Sequence, residues 1–125
     1  MEKINTKNAP SAIGPYSQGI KANGFIYVSG QLPVDPTTGI LKENIKEATL
    51  QSLTNIESIL KEGNSDRFHI VKINIFLKDM SFFTELNEAY NEFFKDPYPA
   101  RSCVAVKSLP KDAVLEIEAI ATYEE

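Results

Sequence analysis

An arginine near the end of the chain is the first residue whose type and position suggest ligand binding. Arg101 is one of two arginines in the 125-residue chain and stands two positions before Cys103, the single cysteine. In an extended segment this spacing places both side chains on one face of a strand. A guanidinium fork matches a carboxylate ligand better than other side chains do, although a structural salt bridge is the alternative.

Two carboxylates, Glu116 and Glu118, alternate with apolar residues close to the end of the chain. This alternation predicts a strand that carries both carboxylates on one face, where solvation alone accounts well for one of them. A carboxylate in a semi-apolar pocket binds its proton more tightly and can act as an acid or a base near neutral pH. The pair therefore indicates acid–base chemistry on the last strand.

Three further polar or reactive residues have ordinary structural explanations. Asn87 lies on the apolar stripe of a predicted helix, so its amide either bonds to nearby backbone or faces a pocket. We interpret His69, the single histidine, as structural or solvent-facing. Cys103 fits a small buried hydrophobe, because no neighbour in the sequence would lower the pKa of its thiol.

The composition excludes other classes of site and partner. With a net charge of −4, an isoelectric point near 5.1 and no run of Lys or Arg, the chain offers no global attraction for nucleic acid. One Cys and one His cannot form a closed structural zinc site, and no glycine-rich phosphate loop is present. No apolar run suits a membrane helix, and the N-terminus lacks the apolar stretch of a secretory signal. A single Cys favours a reducing compartment, hence the cytoplasm.

The length predicts one domain that spans residues 1–125. A hairpin turns at Asn23-Gly24, a dipeptide suited to the positive φ angles of a type I′ turn. A first helix begins at Asn44, with Glu47 completing a capping-box pattern, and ends at Gly63, which accepts the left-handed conformation. The predicted elements are, in order, strands Tyr16–Ala22 and Phe25–Ser29, this helix, strand Ile70–Leu77, helix Ser81–Phe94, and strands Arg101–Lys107 and Val114–Tyr123. This order predicts an α+β sandwich with both helices on one face of a mixed sheet.

The uncovered face of that sheet predicts self-association. Alternation along the predicted middle strand places four apolar side chains under the helices: Val71, Ile73, Ile75 and Leu77. Across two strands it leaves four others on the uncovered face: Ile70, Phe76, Val114 and Ile120. A face that is half apolar usually has a partner, and closed symmetric homo-oligomers are the commonest arrangement.

Five short segments form a distinctive series along the chain. They are Ala12-Ile-Gly-Pro-Tyr-Ser-Gln18, Ser29-Gly-Gln31, Pro99-Ala-Arg-Ser-Cys-Val104, Leu109-Pro-Lys-Asp112 and Ile117-Glu-Ala-Ile-Ala121. Taken together they resemble the RidA/YjgF family of enamine/imine deaminases, and the match spans essentially the whole chain. The connection between Phe94 and Pro99 is shorter than in many members of that family.

The resemblance implies a fold, an assembly and a reaction. The fold would be a chorismate-mutase-like α+β sandwich, assembled as a homotrimer with one site in each cleft between subunits. The reaction would be hydrolysis of 2-aminoacrylate and 2-aminocrotonate, which pyridoxal-phosphate-dependent dehydratases release, to a 2-oxo acid and ammonia. The protein itself would carry no cofactor.

The resemblance also assigns roles by position. Arg101 would bind the substrate carboxylate, and Glu116, ahead of Glu118 in the same strand, would position the water. The remaining residues of the implied site are Tyr16 and Asn87, which help to hold nitrogen or water, Cys103 as the pocket cysteine, and Ser29 and Gly30 on the floor.

Two other functions compete with the deaminase. A non-catalytic trimer could bind a small 2-oxo acid through Arg101, but such a binder gains nothing from Glu116 beside an anion. A translation inhibitor or ribonuclease is a label that the family has carried. The net charge of −4 and the single His argue against it.

Overall fold

Six strands and two α-helices form the fold of the computed structural model, which describes residues 1–124. The strands are β1 (Glu2–Ile4), β2 (Gly19–Ala22), β3 (Phe25–Gln31), β4 (Ile70–Leu77), β5 (Ala100–Ala105) and β6 (Leu115–Thr122). The helices are α1 (Ile45–Glu62) and α2 (Phe83–Phe93). Neither described helix has the length and apolar character needed to cross a membrane. β1 is absent from the predicted elements, since three residues carry too short a pattern to be recognised.

The strands form one mixed sheet in the order β1-β2-β3-β6-β4-β5, in which β4 and β5 run parallel and the other neighbours antiparallel. Both helices lie on one face. The core between the helices and the sheet contains fully buried side chains from each layer, among them Leu53, Ile56, Ile73, Leu86 and Ile117. The predicted α+β architecture is therefore confirmed.

Both ends of α1 lie where the local sequence predicts, but the glycine at the C-terminal end is needed for a different reason from the one predicted. The Asn44 side chain accepts a hydrogen bond from the Glu47 N–H at 3.0 Å, so the predicted start is confirmed. Gly63 has φ −96° rather than the predicted left-handed conformation, which Asn64 adopts instead at φ 64°. A Cβ on Gly63 would lie 2.6 Å from Ile4 Cδ1, so the helix end needs glycine for space rather than for backbone freedom.

A β-bulge changes the predicted face of two residues in β4. Ile70 pairs with Ala121, but the next paired residue is Lys72, which leaves Val71 as the extra residue. Ile70 is consequently buried in the core, whereas Val71 is 43% exposed. The predicted faces of Ile70 and Val71 were therefore wrong, with each residue assigned to the opposite side of the sheet. The reason is that an inserted residue inverts the alternation of faces on one side of it.

The uncovered face of the sheet is mixed, as predicted, although its members differ slightly. Phe76 and Ile120 lie there half-buried, and Tyr27 on β3 is 48% exposed. Val114 is a correction: it precedes β6 and packs against the core instead. The hairpin between β2 and β3 turns as predicted, with Asn23 at φ 52° and Gly24 at φ 85°.

Candidate functional site

Arg101 and Cys103 share one face of the edge strand β5, as the alternation predicts. In the parallel register, Arg101 lies beside Ile73 and Cys103 beside Ile75. Both isoleucines are buried under the helices. Arg101 and Cys103 therefore point to the helix side of the sheet, towards α2.

The Arg101 guanidinium is held by residues of α2. Its Nη1 donates a hydrogen bond to Asn87 Oδ1 at 2.8 Å. Its Cζ lies 4.7 Å from the centre of the Tyr90 ring and 5.5 Å from that of Phe83, and such cation–π contacts orient a cation at little cost. No other hydrogen bond of this side chain occurs within residues 1–124, so donors remain for a carboxylate. We call Asn87, Tyr90, Arg101 and Cys103 the Arg101 half-site.

A cavity of about 500 Å³ opens beside this half-site. It lies between α2 and the start of β5 and is lined by Asn87, Tyr90, Asn91, Tyr98, Pro99 and Arg101. We call it the Arg101 cavity. Because the arginine is part of its wall, an anion bound there can reach the guanidinium.

The other titratable groups of the Arg101 half-site stay neutral at physiological pH. Burial raises the pKa of the Cys103 thiol, although the nearby Arg101 charge acts in the opposite direction. Burial likewise raises the pKa of Tyr90 to about 12, although the charge of Arg101 acts to lower it. Cys103 therefore lacks the thiolate that nucleophilic catalysis needs.

Glu116 lies on the uncovered face, where a bulge in β3 makes room for it. Between the paired residues Val28 and Gln31, Ser29 and Gly30 form an irregular step in the ladder with β6. A Cβ on Gly30 would lie only 2.7 Å from the Glu116 carboxyl carbon. Gly30 thus lets the backbone of β3 approach the carboxyl closely. We call Ser29, Gly30 and Glu116 the Glu116 half-site.

The Glu116 carboxyl holds its proton more tightly than an ordinary glutamate. Burial raises its pKa, and the charge of Glu118, two residues along the same strand, raises the pKa further. Glu118 is itself fixed by Asn74 on β4, whose Nδ2 donates to Glu118 Oε2 at 3.0 Å. A carboxyl with a raised pKa is suited to proton transfer near neutral pH.

Tyr16 belongs to a segment that is attached to the Glu116 half-site through backbone. The Ser29 hydroxyl donates to the Ser17 carbonyl at 2.6 Å, next to Tyr16, whose side chain is 52% exposed. Gln18 holds the same segment: its Oε1 accepts from Thr6 N–H at 2.7 Å, and its Nε2 donates to the Thr6 carbonyl at 3.0 Å. The participation of the Tyr16 hydroxyl in the site stays a prediction.

The two half-sites lie on opposite faces of the sheet within one subunit. Glu116 is paired with Phe76, on the uncovered face, whereas Arg101 shares the helix face with Ile73. Alternation within single strands does not separate them, because the strand order that sets their faces is not a local property of the sequence. The structure also adds Tyr90, Asn74 and Gln18, which had no predicted role although Gln18 ends one of the quoted segments.

His69 has a local partner, in keeping with a structural role. Its Nδ1 lies 2.8 Å from Asp66 Oδ1, in the short turn before β4. Within residues 1–124, no group of three or more His, Cys, Asp and Glu side chains is arranged to hold a metal ion.

Comparisons with known proteins give this geometry a family. The model of the Endoribonuclease L-PSP family matches residues 6–123. A 2-iminobutanoate/2-iminopropanoate deaminase of Salmonella typhimurium is 46% identical over 121 residues, which cover 94% of each chain. The chain belongs to the RidA/YjgF family.

Other RidA relatives agree along the full length. A RutC family protein of Pyrococcus horikoshii is 50% identical over 124 residues, 98% of each chain. The crystal structure of Escherichia coli TdcF with bound serine superimposes with a TM-score of 0.94 at 41% identity, covering 99% of this chain and 100% of that one. The predicted family and fold are thereby confirmed.

Proposed function

We propose that this RidA family member hydrolyses the imine forms of 2-aminoacrylate and 2-aminocrotonate to 2-oxo acids and ammonia. One observation carries the proposal: the Glu116 carboxyl is half-buried, lies beside Glu118 and has a raised pKa. The Salmonella relative named as a 2-iminobutanoate/2-iminopropanoate deaminase supports the same reaction. We place the reaction in the cytoplasm, since the single Cys suits a reducing compartment.

In the proposed mechanism, Arg101 binds the carboxylate and Glu116 moves the proton. The guanidinium donors that Asn87 does not use hold the substrate carboxylate and fix its orientation. Glu116 takes a proton from a water that adds to the carbon of the protonated imine, and then returns this proton to the nitrogen of the carbinolamine. As the C–N bond breaks, the hydroxyl proton passes to Glu116, which leaves the 2-oxo acid and ammonia. No covalent intermediate with the enzyme is needed, so Cys103 serves as a neutral wall of the pocket.

The opposite faces of Arg101 and Glu116 support a shared site between subunits. We propose a homotrimer in which the Arg101 half-site of one copy meets the Glu116 half-site of another. The edge strand β5 has one free side for such an approach, and Val104 on it is 50% exposed. Apolar side chains on the uncovered sheet face, among them Tyr27, favour the burial of that face against another subunit.

Two other functions fit the site less well. A non-catalytic protein that binds 2-oxo acids explains Arg101, but such a protein gains nothing from a half-buried carboxyl with a raised pKa beside its ligand. A ribonuclease is suggested by the name of the family model. The net charge of −4 and the pairing of His69 with Asp66 do not favour phosphate-backbone chemistry.

A coupled assay tests the proposal directly. A serine/threonine dehydratase generates the enamine, and the release of 2-oxo acid is followed with and without this protein. We expect faster release, with Glu116→Gln as the inactive control of intact fold. An unchanged rate contradicts the deaminase and favours the binding protein, which ligand titration would then detect.

The assembly needs its own measurement. Light scattering is expected to give three times the chain mass of 13.9 kDa. A particle of 13.9 kDa at micromolar concentration contradicts the shared site, because one copy separates the two half-sites by the sheet.

A further inference from the structure

A long connection joins β1 to β2, although these strands are antiparallel neighbours in the sheet. Their innermost paired residues are Ile4 and Gly19, so residues 5–18 form the loop of this hairpin. Hairpin loops usually contain roughly 2–5 residues, and a connection of more than about 12 residues without helix or strand is usually functional. The loop is therefore much longer than the pairing of the two strands requires.

One buried side chain, that of Gln18, closes this loop. Its Oε1 accepts a hydrogen bond from the Thr6 N–H at 2.7 Å, and its Nε2 donates to the carbonyl oxygens of Thr6 at 3.0 Å and Pro10 at 2.9 Å. These bonds use both Nε2 protons, which fixes the orientation of the amide. Gln18 is 1% exposed, and another subunit can only reduce that exposure, so the closure does not depend on what covers the sheet.

The closed loop is attached to the bulge in β3 at its C-terminal end. The Ser29 N–H donates to the Gln18 carbonyl at 2.9 Å, and the Ser29 hydroxyl donates to the Ser17 carbonyl at 2.6 Å. On the other side of Tyr16, Gly14 has φ 124°, and its carbonyl accepts from the Tyr16 N–H at 2.9 Å. The backbone of Tyr16 is therefore held on both sides, next to the bulge.

We infer that Gln18 is a positioning residue of the proposed reaction, which closes the loop so that Tyr16 enters the site beside Glu116 at a fixed place. The inference rests on the proposed function and on the part that the family resemblance gives Tyr16 in holding nitrogen or water. The buried amide of Gln18 acts through Tyr16 and does not touch the substrate. Such positioning matters because a displacement of about 1 Å can cost up to roughly 10²-fold in rate.

A role of Gln18 in stability alone would have a different signature. The pairing of Ile4 with Gly19 already joins β1 to β2 without this side chain. A loss of stability is independent of the Tyr16 hydroxyl, so its effect on activity multiplies with that of removing the hydroxyl. A positioning residue loses its effect once the group that it positions is gone.

The test is a double-mutant cycle in the coupled dehydratase assay with the full-length protein. The variants are Gln18→Met, which keeps the length of the side chain without its amide, Tyr16→Phe, and the two combined. Gln51→Met is the matched control, alone and with Tyr16→Phe, because the Gln51 amide donates to Asn55 within α1. Light scattering and the melting temperature are measured for every variant.

We expect Tyr16→Phe to lower kcat/KM by up to roughly 10-fold, the contribution of one hydrogen bond. Gln18→Met should lower it by a similar factor, and the double variant should be no slower than the slower of the two single variants. Any loss caused by Gln51→Met should instead multiply with that of Tyr16→Phe.

Gln18→Glu provides a milder change at the same position. Its protonated form accepts from the Thr6 N–H and donates to one carbonyl, so it lacks one of the three native bonds. If Gln18→Met does not assemble, the cycle is carried out with Gln18→Glu. Its loss of activity should likewise not multiply with that of Tyr16→Phe.

Four results overturn the inference while leaving the deaminase intact. They are native activity in the Gln18 variants, native activity in Tyr16→Phe, losses that multiply in the double variant, and failure of both Gln18 variants to form the native assembly. The last result would assign Gln18 to stability alone. If the native protein does not speed the release of 2-oxo acid, the proposed function itself fails and the inference falls with it.

Discussion

The cation of the Arg101 half-site has partners within its own subunit, whereas the anion of the Glu116 half-site has none among the described residues. Asn87 accepts a hydrogen bond from Arg101, and the Tyr90 ring lies against the guanidinium. Around Glu116 the structure places Phe76, the clearance at Gly30 and the like charge of Glu118. The positive charge of Arg101 is therefore stabilised by its neighbours, whereas the negative charge of Glu116 is destabilised by its neighbours.

This difference corresponds to two kinds of chemical work. A group that only binds a carboxylate must stay charged at every pH at which the enzyme works and must keep one orientation. The Arg101 guanidinium meets both conditions, because it is always protonated and is held by its neighbours. A group that transfers a proton needs a proton affinity between that of the water and that of the substrate nitrogen. Burial and a neighbouring negative charge raise the pKa of a carboxyl towards that range. Substitutions at the two half-sites test this difference.

Replacing Glu116 by Gln removes the proton acceptor while keeping the shape of the side chain. We expect kcat/KM in the coupled assay to fall by roughly 10²–10⁴-fold, the usual contribution of general acid–base catalysis. Because the native pKa is raised by burial and by Glu118, the carboxyl loses stabilising free energy as pH rises through that pKa. The melting temperature of Glu116→Gln should therefore exceed that of the native protein increasingly towards neutral pH. Near-native turnover would show that another group moves the proton.

Replacing Arg101 by Ala removes the group that binds the substrate carboxylate. Hydrogen bonds to charged groups contribute roughly 1.5–3 kcal/mol each, so the loss of two corresponds to roughly 10²–10⁴-fold in kcat/KM. Arg101→Lys should also be impaired, because an ammonium keeps the charge but not the fork or the bond geometry with Asn87. Titration with a 2-oxo acid and light scattering separate lost binding from lost assembly. Full activity in Arg101→Ala would reduce the arginine to a structural role.

Replacing Gly30 by Ala tests the clearance at the Glu116 half-site. The new Cβ would lie 2.7 Å from the Glu116 carboxyl carbon and force the carboxyl to move. Misplacement of a catalytic group by about 1 Å can cost up to roughly 10²-fold, so we expect a loss in kcat of that order or less. Gly39→Ala is the control for backbone strain without a clash, since its φ of 76° strains an alanine but nothing lies within 4 Å of the added Cβ. Equal kcat values for the two variants would contradict the role of Gly30.

Replacing Glu118 by Gln should change the pH profile more than the maximal rate. Glu118 raises the pKa of Glu116, so its removal lowers that pKa and moves the acid limb of kcat/KM to lower pH. The control is Glu43→Gln, which removes one exposed carboxylate from the loop before α1. A loss of turnover as large as that of Glu116→Gln would mean that the two carboxylates have been assigned in the wrong order.

Replacing Cys103 by Ala should have the smallest effect. Burial keeps its thiol protonated despite the nearby Arg101, and the proposed hydrolysis forms no bond to sulfur. We expect most of the deaminase activity to survive, with the same particle size in light scattering. Complete loss of activity in an intact assembly would reopen covalent catalysis.

Features that depend on a few neighbouring residues could be predicted from the sequence. The Asn44 cap, the Asn23-Gly24 turn and the alternation along β6 each follow from local backbone chemistry, and the structure has all three. The types of Arg101 and Glu116 likewise indicate anion binding and proton transfer. Local patterns of this kind are readable because the cause and the effect lie within one element.

Features that depend on pairing between distant segments could not be predicted. The bulge at Val71 arises from the register of β4 against β6, and the need for glycine at position 63 arises from contact with Ile4 in β1. The placement of Arg101 and Glu116 on opposite faces depends on strand order, which no local pattern contains. Alternation tells which residues share a face within a strand but not which face two strands have in common.

The attachment of the segment before β2 has a dynamic consequence. Residues 5–18 belong to no helix or strand. Within residues 1–124, their side-chain hydrogen bond to the sheet is that of the Ser29 hydroxyl to the Ser17 carbonyl, whereas Gln18 joins the two ends of the segment to each other. Such a segment opens by breaking a few hydrogen bonds, at a free energy well below that of unfolding the sheet. Tyr16 can therefore leave and return on a faster timescale than the strands that carry Arg101 and Glu116, so a small molecule can enter while both charged groups stay in place.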